Sequence, residues 1–169
     1  RTSPFAFTSN KFEFRMLGSS SSVATPNTVI NTIVADVLSD FADTLENIGP
    51  DADFAKELDK LIRETIKNHK RIIFNGNGYD EAWAEEAERR GLLNIKNTPD
   101  ALLSFTKEKN IKLFEKHKVL SRAEMLSRYD IWLENYSKTI NIEALTMIDM
   151  VNKAIIPAVL SYEDELADI

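Results

Sequence analysis

The chain has 169 residues, a formal net charge of −6 at pH 7, a pI near 5.0 and no cysteine. It is long enough to bury a core, its 43% hydrophobic and 28% charged content is ordinary for a soluble globular protein, and the lack of cysteine excludes disulfides and thiolate metal sites. The acidic balance lacks the basic face that general nucleic-acid binding needs, and no uninterrupted apolar run approaches the roughly 20 residues that span a bilayer, so neither nucleic acid nor membrane is expected as a partner.

The chain opens on RTSPFAF rather than on Met, in the rhythm of a folded segment, and the native protein is expected to extend upstream. Two short strands are predicted within residues 1–18, PFAF and KFEFRM, bracketing a turn-like TSN. GSSSS breaks that pattern. From Asn27 onward Val29, Ile30, Ile33, Val34, Val37, Leu38, Phe41 and Leu45 recur at helical spacing, and Gly49-Pro50 stops the helix, with Pro50 suited to the first turn of the next. That second helix is expected to reach about Lys67, with Phe54, Leu58, Leu61, Ile62 and Ile66 along one stripe.

IIFNGNGYD reads as a short apolar segment and a turn, since Asn and Gly supply positive φ and the remaining glycines of a dinucleotide fingerprint are missing. EAWAEEAERRG is a brief helix stopped at Gly91, its acidic residues forming a solvated face that pairs partly with Arg89 and Arg90. Thr98-Pro99 opens another helical region, and a break is expected near Asn110. Ser121 and Glu124 make a capping box, after which apolar steps of three and four continue from Leu126 to Tyr162. This could be one helix or two broken near TINIE, with Pro157 kinking or ending it. His69 and His117 sit among lysines without a partner histidine at ligand spacing and read as surface or helix-end residues. Trp83, Tyr129, Trp132 and Tyr136 read as core anchors. The expected fold is mainly α: a helical bundle with a short N-terminal β segment.

One stretch carries chemistry. In NKFEFRMLG the residues Lys11, Glu13 and Arg15 alternate with Phe12, Phe14 and Met16, and on a strand this puts the three charges on one face. Such a row is either a solvated face or a charged floor under a ligand. In the second case one carboxylate holds a hard cation through oxygen and flanking cations hold phosphate or carboxylate groups. A single carboxylate cannot make a metal site, so further ligands would have to come from elsewhere. Residues 50–169 contain no catalytic constellation.

RTSPFAFTSNKFEFRMLGSSSSVATPNTVINTIVADVL resembles the C-terminal end of the catalytic domain of glutamine synthetases: an Arg motif, a strand ending in Glu-x-Arg, a Pro/Ser/Asn loop and a long helix. RIIFNGNGYDEAWAEEAERRGLLN, HKVLSRAEMLSRYDIWLENY and INIEALTMIDMVNKAIIPAV resemble the extra C-terminal region of the large type III bacterial enzymes. The resemblance implies residues 1–48 as the end of an α+β catalytic domain and 49–169 as a helical bundle domain. It also implies a cytoplasmic enzyme that joins ammonia to L-glutamate with ATP through γ-glutamyl phosphate. Mg2+ or Mn2+ would be bound, in a homo-oligomer of hexameric rings, expected as a dodecamer. Glu13 matches a ligand of the metal bridging the ATP phosphates. Arg15 matches the arginine that steadies substrate and phosphoryl group, and Arg1 the arginine that contacts glutamate and the γ-phosphate. Many members carry a second arginine where this chain has Ala6, and Lys11 is a candidate substitute for that phosphate contact. The other metal carboxylates, the metal-binding histidine and the amino-terminal β domain are absent from these residues, so the fragment alone is expected to be inactive. A different reading keeps the chain as a stand-alone acidic helical interaction module.

Overall fold

In the computed structural model the described residues are 5–7, 11–14, 18 and 21–168. They form a mainly α protein. Strand β1 (Phe5–Phe7) pairs antiparallel with β2 (Phe12–Phe14), in the register Phe5 to Phe14, Ala6 to Glu13 and Phe7 to Phe12. The helices are α1 (Ala24–Glu46), α2 (Phe54–His69), α3 (Glu81–Arg89), α4 (Thr98–Leu103), α5 (Glu108–Lys116), α6 (Arg122–Met150) and α7 (Ile156–Ala167). A 3-10 turn (Lys70–Ile72) follows α2, and a π turn (Val151–Ile155) joins α6 to α7.

Two compact units share this chain. One comprises residues 1–96 and 112–119, the other 97–111 and 120–169, so the boundary falls within α5.

Local chemistry explains most boundaries in the first unit. The Asp53 side chain caps α2 by accepting from the Ala55 and Lys56 amides, so that helix starts after Asp53 and Pro50 lies in the preceding turn, not in its first turn. Phe41 and Leu45 of α1 meet Leu58, Leu61 and Ile62 of α2 around a small apolar pocket. Asp80 caps α3 at the other end of the Asn/Gly turn. Gly91 stops α3 at φ +70°: its amide donates to the Glu88 carbonyl and the Leu92 amide to the Ala87 carbonyl, the two bonds of a Schellman cap. A side chain there would have ordinary room, 3.6 Å from Arg71 Nη1, so the left-handed backbone is what calls for glycine.

The second unit is built on one long helical stretch. Ser121 and Glu124 cap α6 reciprocally, as the sequence pattern implies. The helix runs through TINIE unbroken; its irregularity comes later, at the π turn just before Pro157. A proline in a helix lacks its amide and crowds the carbonyl four residues earlier, and the wider π turn, closed by the Ile156 amide on the Val151 carbonyl, absorbs that crowding. Helix α5 also passes through Asn110 without the break expected there. Its side chain donates to the Ser104 carbonyl at 2.5 Å, so this asparagine anchors the turn before the helix. Ile111 and Met125 are fully buried, and Phe105 packs tilted on Trp132 at 4.9 Å between ring centres.

Beyond Tyr136 burial in this unit all but ceases. Ile140, Leu145, Ile148, Ile155, Val159 and Tyr162 are all about half exposed, and within the unit no other element packs on α7. By length and composition the Arg122–Ala167 stretch could cross a membrane. The stretch reaches spanning length only when a few charged residues are tolerated within it, so it is not an uninterrupted apolar run. Those charges are paired in place, Lys138 with Glu134 and Lys153 with Asp149, each at 2.6 Å.

Candidate functional site

The hairpin gives the charged row a definite frame. Glu13 is half-buried at the centre of β2 and lies opposite Ala6 of β1, while Lys11 is exposed just before the strand. A strand position fixes a side chain more firmly than a loop does, and of these two only Glu13 stands within β2. Arg1 and Arg15 lie outside the described residues. Phe12, between the two charges, is 60% exposed.

The donor set can be tested against a divalent cation. Mg2+ and Mn2+ take hard oxygen ligands in a near-octahedral shell, which one carboxylate cannot supply. Among the described residues no group of three or more His, Asp or Glu side chains is arranged to hold a metal ion. Glu13 is therefore of the right chemical kind for one ligand of a shared site, and the described residues do not complete such a site.

A second cluster escapes sequence reading altogether. Asp36 on α1 accepts from Lys116 Nζ at 2.6 Å and lies 2.8 Å from His117 Nε2, although about eighty positions separate them in sequence. Asp40, one turn on, lies 3.7 Å from the same ammonium. The α5 terminus makes this possible. Lys118 adopts φ +53°, and the amides of Lys118 and Val119 bond the carbonyls of Glu115 and Phe114 in a Schellman cap that turns the chain sharply. Phe114, 2% exposed, anchors that cap. His117, which the sequence suggested as a surface or helix-end residue, is indeed at a helix end but is engaged by a carboxylate. Only the spacing of Lys116 and His117 beyond a helix end hinted at it.

Hydrogen bonds from Lys116 and then His117 hold the Asp36 carboxyl below its ordinary value of 3.8. A carboxylate whose folded-state pKa is depressed stabilises the fold above its unfolded value, and that contribution disappears as pH falls through the lowered folded value. Asp36→Asn is therefore expected to destabilise the chain at about pH 5, with the gap from wild type closing as pH falls below about 3.8. Urea unfolding at neutral and acid pH checks this. A gap that stays the same into strong acid would mean the cluster acts through shape and not charge.

The glutamine synthetase C-terminal domain family model matches residues 57–169. A type-3 glutamine synthetase from Dictyostelium discoideum is 43% identical over 168 residues, covering 99% of this chain and 23% of its own length. A glutamine synthetase from Butyrivibrio fibrisolvens is 40% identical over 176 residues, covering 99% of this chain and 24% of its own. One from Bacteroides fragilis (strain YCH46) is 35% identical over 173 residues, with 99% and 23% covered. The chain thus spans about a quarter of the length of the curated relatives it matches.

Proposed function

The chain belongs to the glutamine synthetase family, and from that premise we propose that it is the C-terminal part of a glutamate–ammonia ligase, with its first and last portions doing different work. Residues 1–48 close the catalytic domain. There Glu13 supplies one oxygen ligand to a Mg2+ or Mn2+ ion, Lys11 and Arg15 meet phosphate and substrate charge, and Arg1 contacts glutamate and the γ-phosphate of ATP. When bound, the metal would neutralise charge on the phosphates. The protein side of phosphoryl transfer is mostly placement of countercharge, and alternating strand positions place it from a stiff backbone. With one candidate metal ligand, the chain alone is inactive. The complete enzyme works in the cytoplasm as a homo-oligomer built from hexameric rings.

Residues 49–169 are an assembly domain. The observation that carries this reading is the apolar surface of α6 and α7, where Ile140, Leu145, Ile148, Ile155 and Val159 stay about half exposed along one continuous helical stretch. Exposed apolar surface on that scale marks a binding surface. The ion pairs set along the same stretch suit a protein partner better than lipid, where each charge at mid-span would be costly. The covering surface is the catalytic domain of the same enzyme or a neighbouring subunit. Truncation of the full-length protein after Glu46 is expected to dissolve the oligomer and lower synthesis with it, read by light scattering and glutamine production. Intact assembly and activity after that truncation would sink the assembly role.

A further inference from the structure

The acidic chain carries one strongly basic concavity, separate from the hairpin. A cleft of about 820 Å3 in the first unit is lined by Arg63 and Lys67 of α2, Lys70 and Arg71 of the 3-10 turn, and Arg89 and Arg90 of α3. Glu86 is the one carboxylate in that lining. It is spoken for, bonded by both Arg89 and Arg90, and hydrogen bonds from Arg90 and then Arg89 hold its carboxyl below the ordinary range. Arg63 pairs with Asp59 at 2.6 Å outside the cleft. Among the described residues Lys67, Lys70 and Arg71 have no carboxylate within ion-pair distance, in a chain whose net charge is −6.

Arg90 gives this cleft a rigid back. Its Nη1 donates to the Ile73 carbonyl at 3.0 Å and the Arg71 carbonyl at 3.3 Å, and its guanidinium lies 5.4 Å from the Trp83 ring centre. Trp83 is stacked in turn on Phe74 at 3.8 Å. Arg90 therefore ties the 3-10 turn to α3 and fixes where Lys70 and Arg71 stand. Cations at a helix C-terminus usually serve only to complement the dipole. That accounts for Lys67 and Lys70 and for Arg89 and Arg90 each at its own helix end, but not for the two basic helix ends meeting around one concavity.

We infer that this cleft is a binding site for a small molecule carrying a chain of phosphates. Its unpaired ammonium and guanidinium groups, those of Lys67, Lys70 and Arg71, are of the kind that hold phosphate oxygens by charge-assisted hydrogen bonds. Ile66 and Ile73, both in the lining and half exposed, offer apolar surface for any group attached to the phosphates.

Isothermal titration of the chain with inorganic tripolyphosphate tests this. One saturable site is expected, weakening as salt rises, with affinity reduced about tenfold or more by Lys67→Glu or Arg71→Glu. Both residues are exposed, and circular dichroism checks that the fold is kept; the milder Lys70→Gln is expected to weaken binding in the same sense. Lys56→Ala, at the other end of α2 and outside the cleft, is expected to leave the affinity unchanged. ATP in place of tripolyphosphate separates the sources: tighter binding points to a nucleotide held partly through Ile66 and Ile73, equal affinity to the phosphate chain alone. Absence of saturable binding, or affinity that responds to Lys56→Ala and not to Lys67→Glu, would overturn the inference. So would cleft variants that alter only self-association, which would give the cleft to a protein partner.

Discussion

Glu13→Ala in the full-length enzyme is expected to lower kcat for glutamine synthesis by about a hundredfold or more, while the thermal transition of the protein stays in place. The magnitude follows from the usual cost of removing one group that stabilises charge in the reacting complex. The stability side follows from the fold: Glu13 sits on a two-stranded segment, half-buried, in a position where alanine is sterically acceptable. A metal ligand has a signature that a merely structural carboxylate lacks. If Glu13 holds a cation, raising Mg2+ or Mn2+ should restore part of the lost rate, because weaker binding is offset by mass action. Arg15→Ala is expected to cost a similar factor with no such rescue, since its charge is part of the protein. Kinetics against metal concentration would decide the matter. Activity within about twofold of wild type for both variants, in a protein that still folds, would return the strand to the solvated-face reading and leave the chain as an interaction module.

Met125→Ala is expected to destabilise the second unit by about 2–5 kcal/mol, the range for truncating a buried Met, Leu or Ile to Ala. Met125 is 0% exposed and stands one turn into α6, next to the capping box that starts it. Only Ile111 matches it as a large, fully buried side chain among the described residues, so little other core can compensate. Natural domains hold about 5–15 kcal/mol in total, so this loss should be visible as a marked fall in the denaturation midpoint. Urea titration followed by the fluorescence of Trp132, which packs on Phe105 in the same unit, provides the measurement. A change below about 1 kcal/mol would mean that the site collapses around the alanine and that this core is not what holds the unit.

The helices were legible wherever a side chain acts on its own backbone. Ser121 with Glu124, Gly91 after α3 and the apolar steps along α1 and α2 all announce local events, because caps and periodic faces depend on residues a turn apart. Two other local signals misled. Asn110 suggests a break and instead bonds the Ser104 carbonyl, and Pro50 suggests a helix start that Asp53 provides. Of the charged row, Glu13 stands within β2 and Lys11 just before it, while Arg15 lies outside the described residues.

By itself the sequence determined that the protein is mainly helical, that it resembles the glutamine synthetases, and that Glu13 stands on a short strand. Each of these rests on composition, short-range spacing or recognisable segments, all of which survive in an unfolded chain written as a string. The tertiary structure decided that Asp36 meets Lys116 and His117, that Arg90 ties the 3-10 turn to α3, and that six cations surround one cleft. Such meetings arise because packing of apolar faces brings distant segments within a few ångströms, where charge and hydrogen bonding act. No local pattern encodes the partner of a charge. The same holds for the bare apolar flank of α6 and α7: its spacing looks like that of any core helix, and only the fold reveals that within its unit nothing covers it.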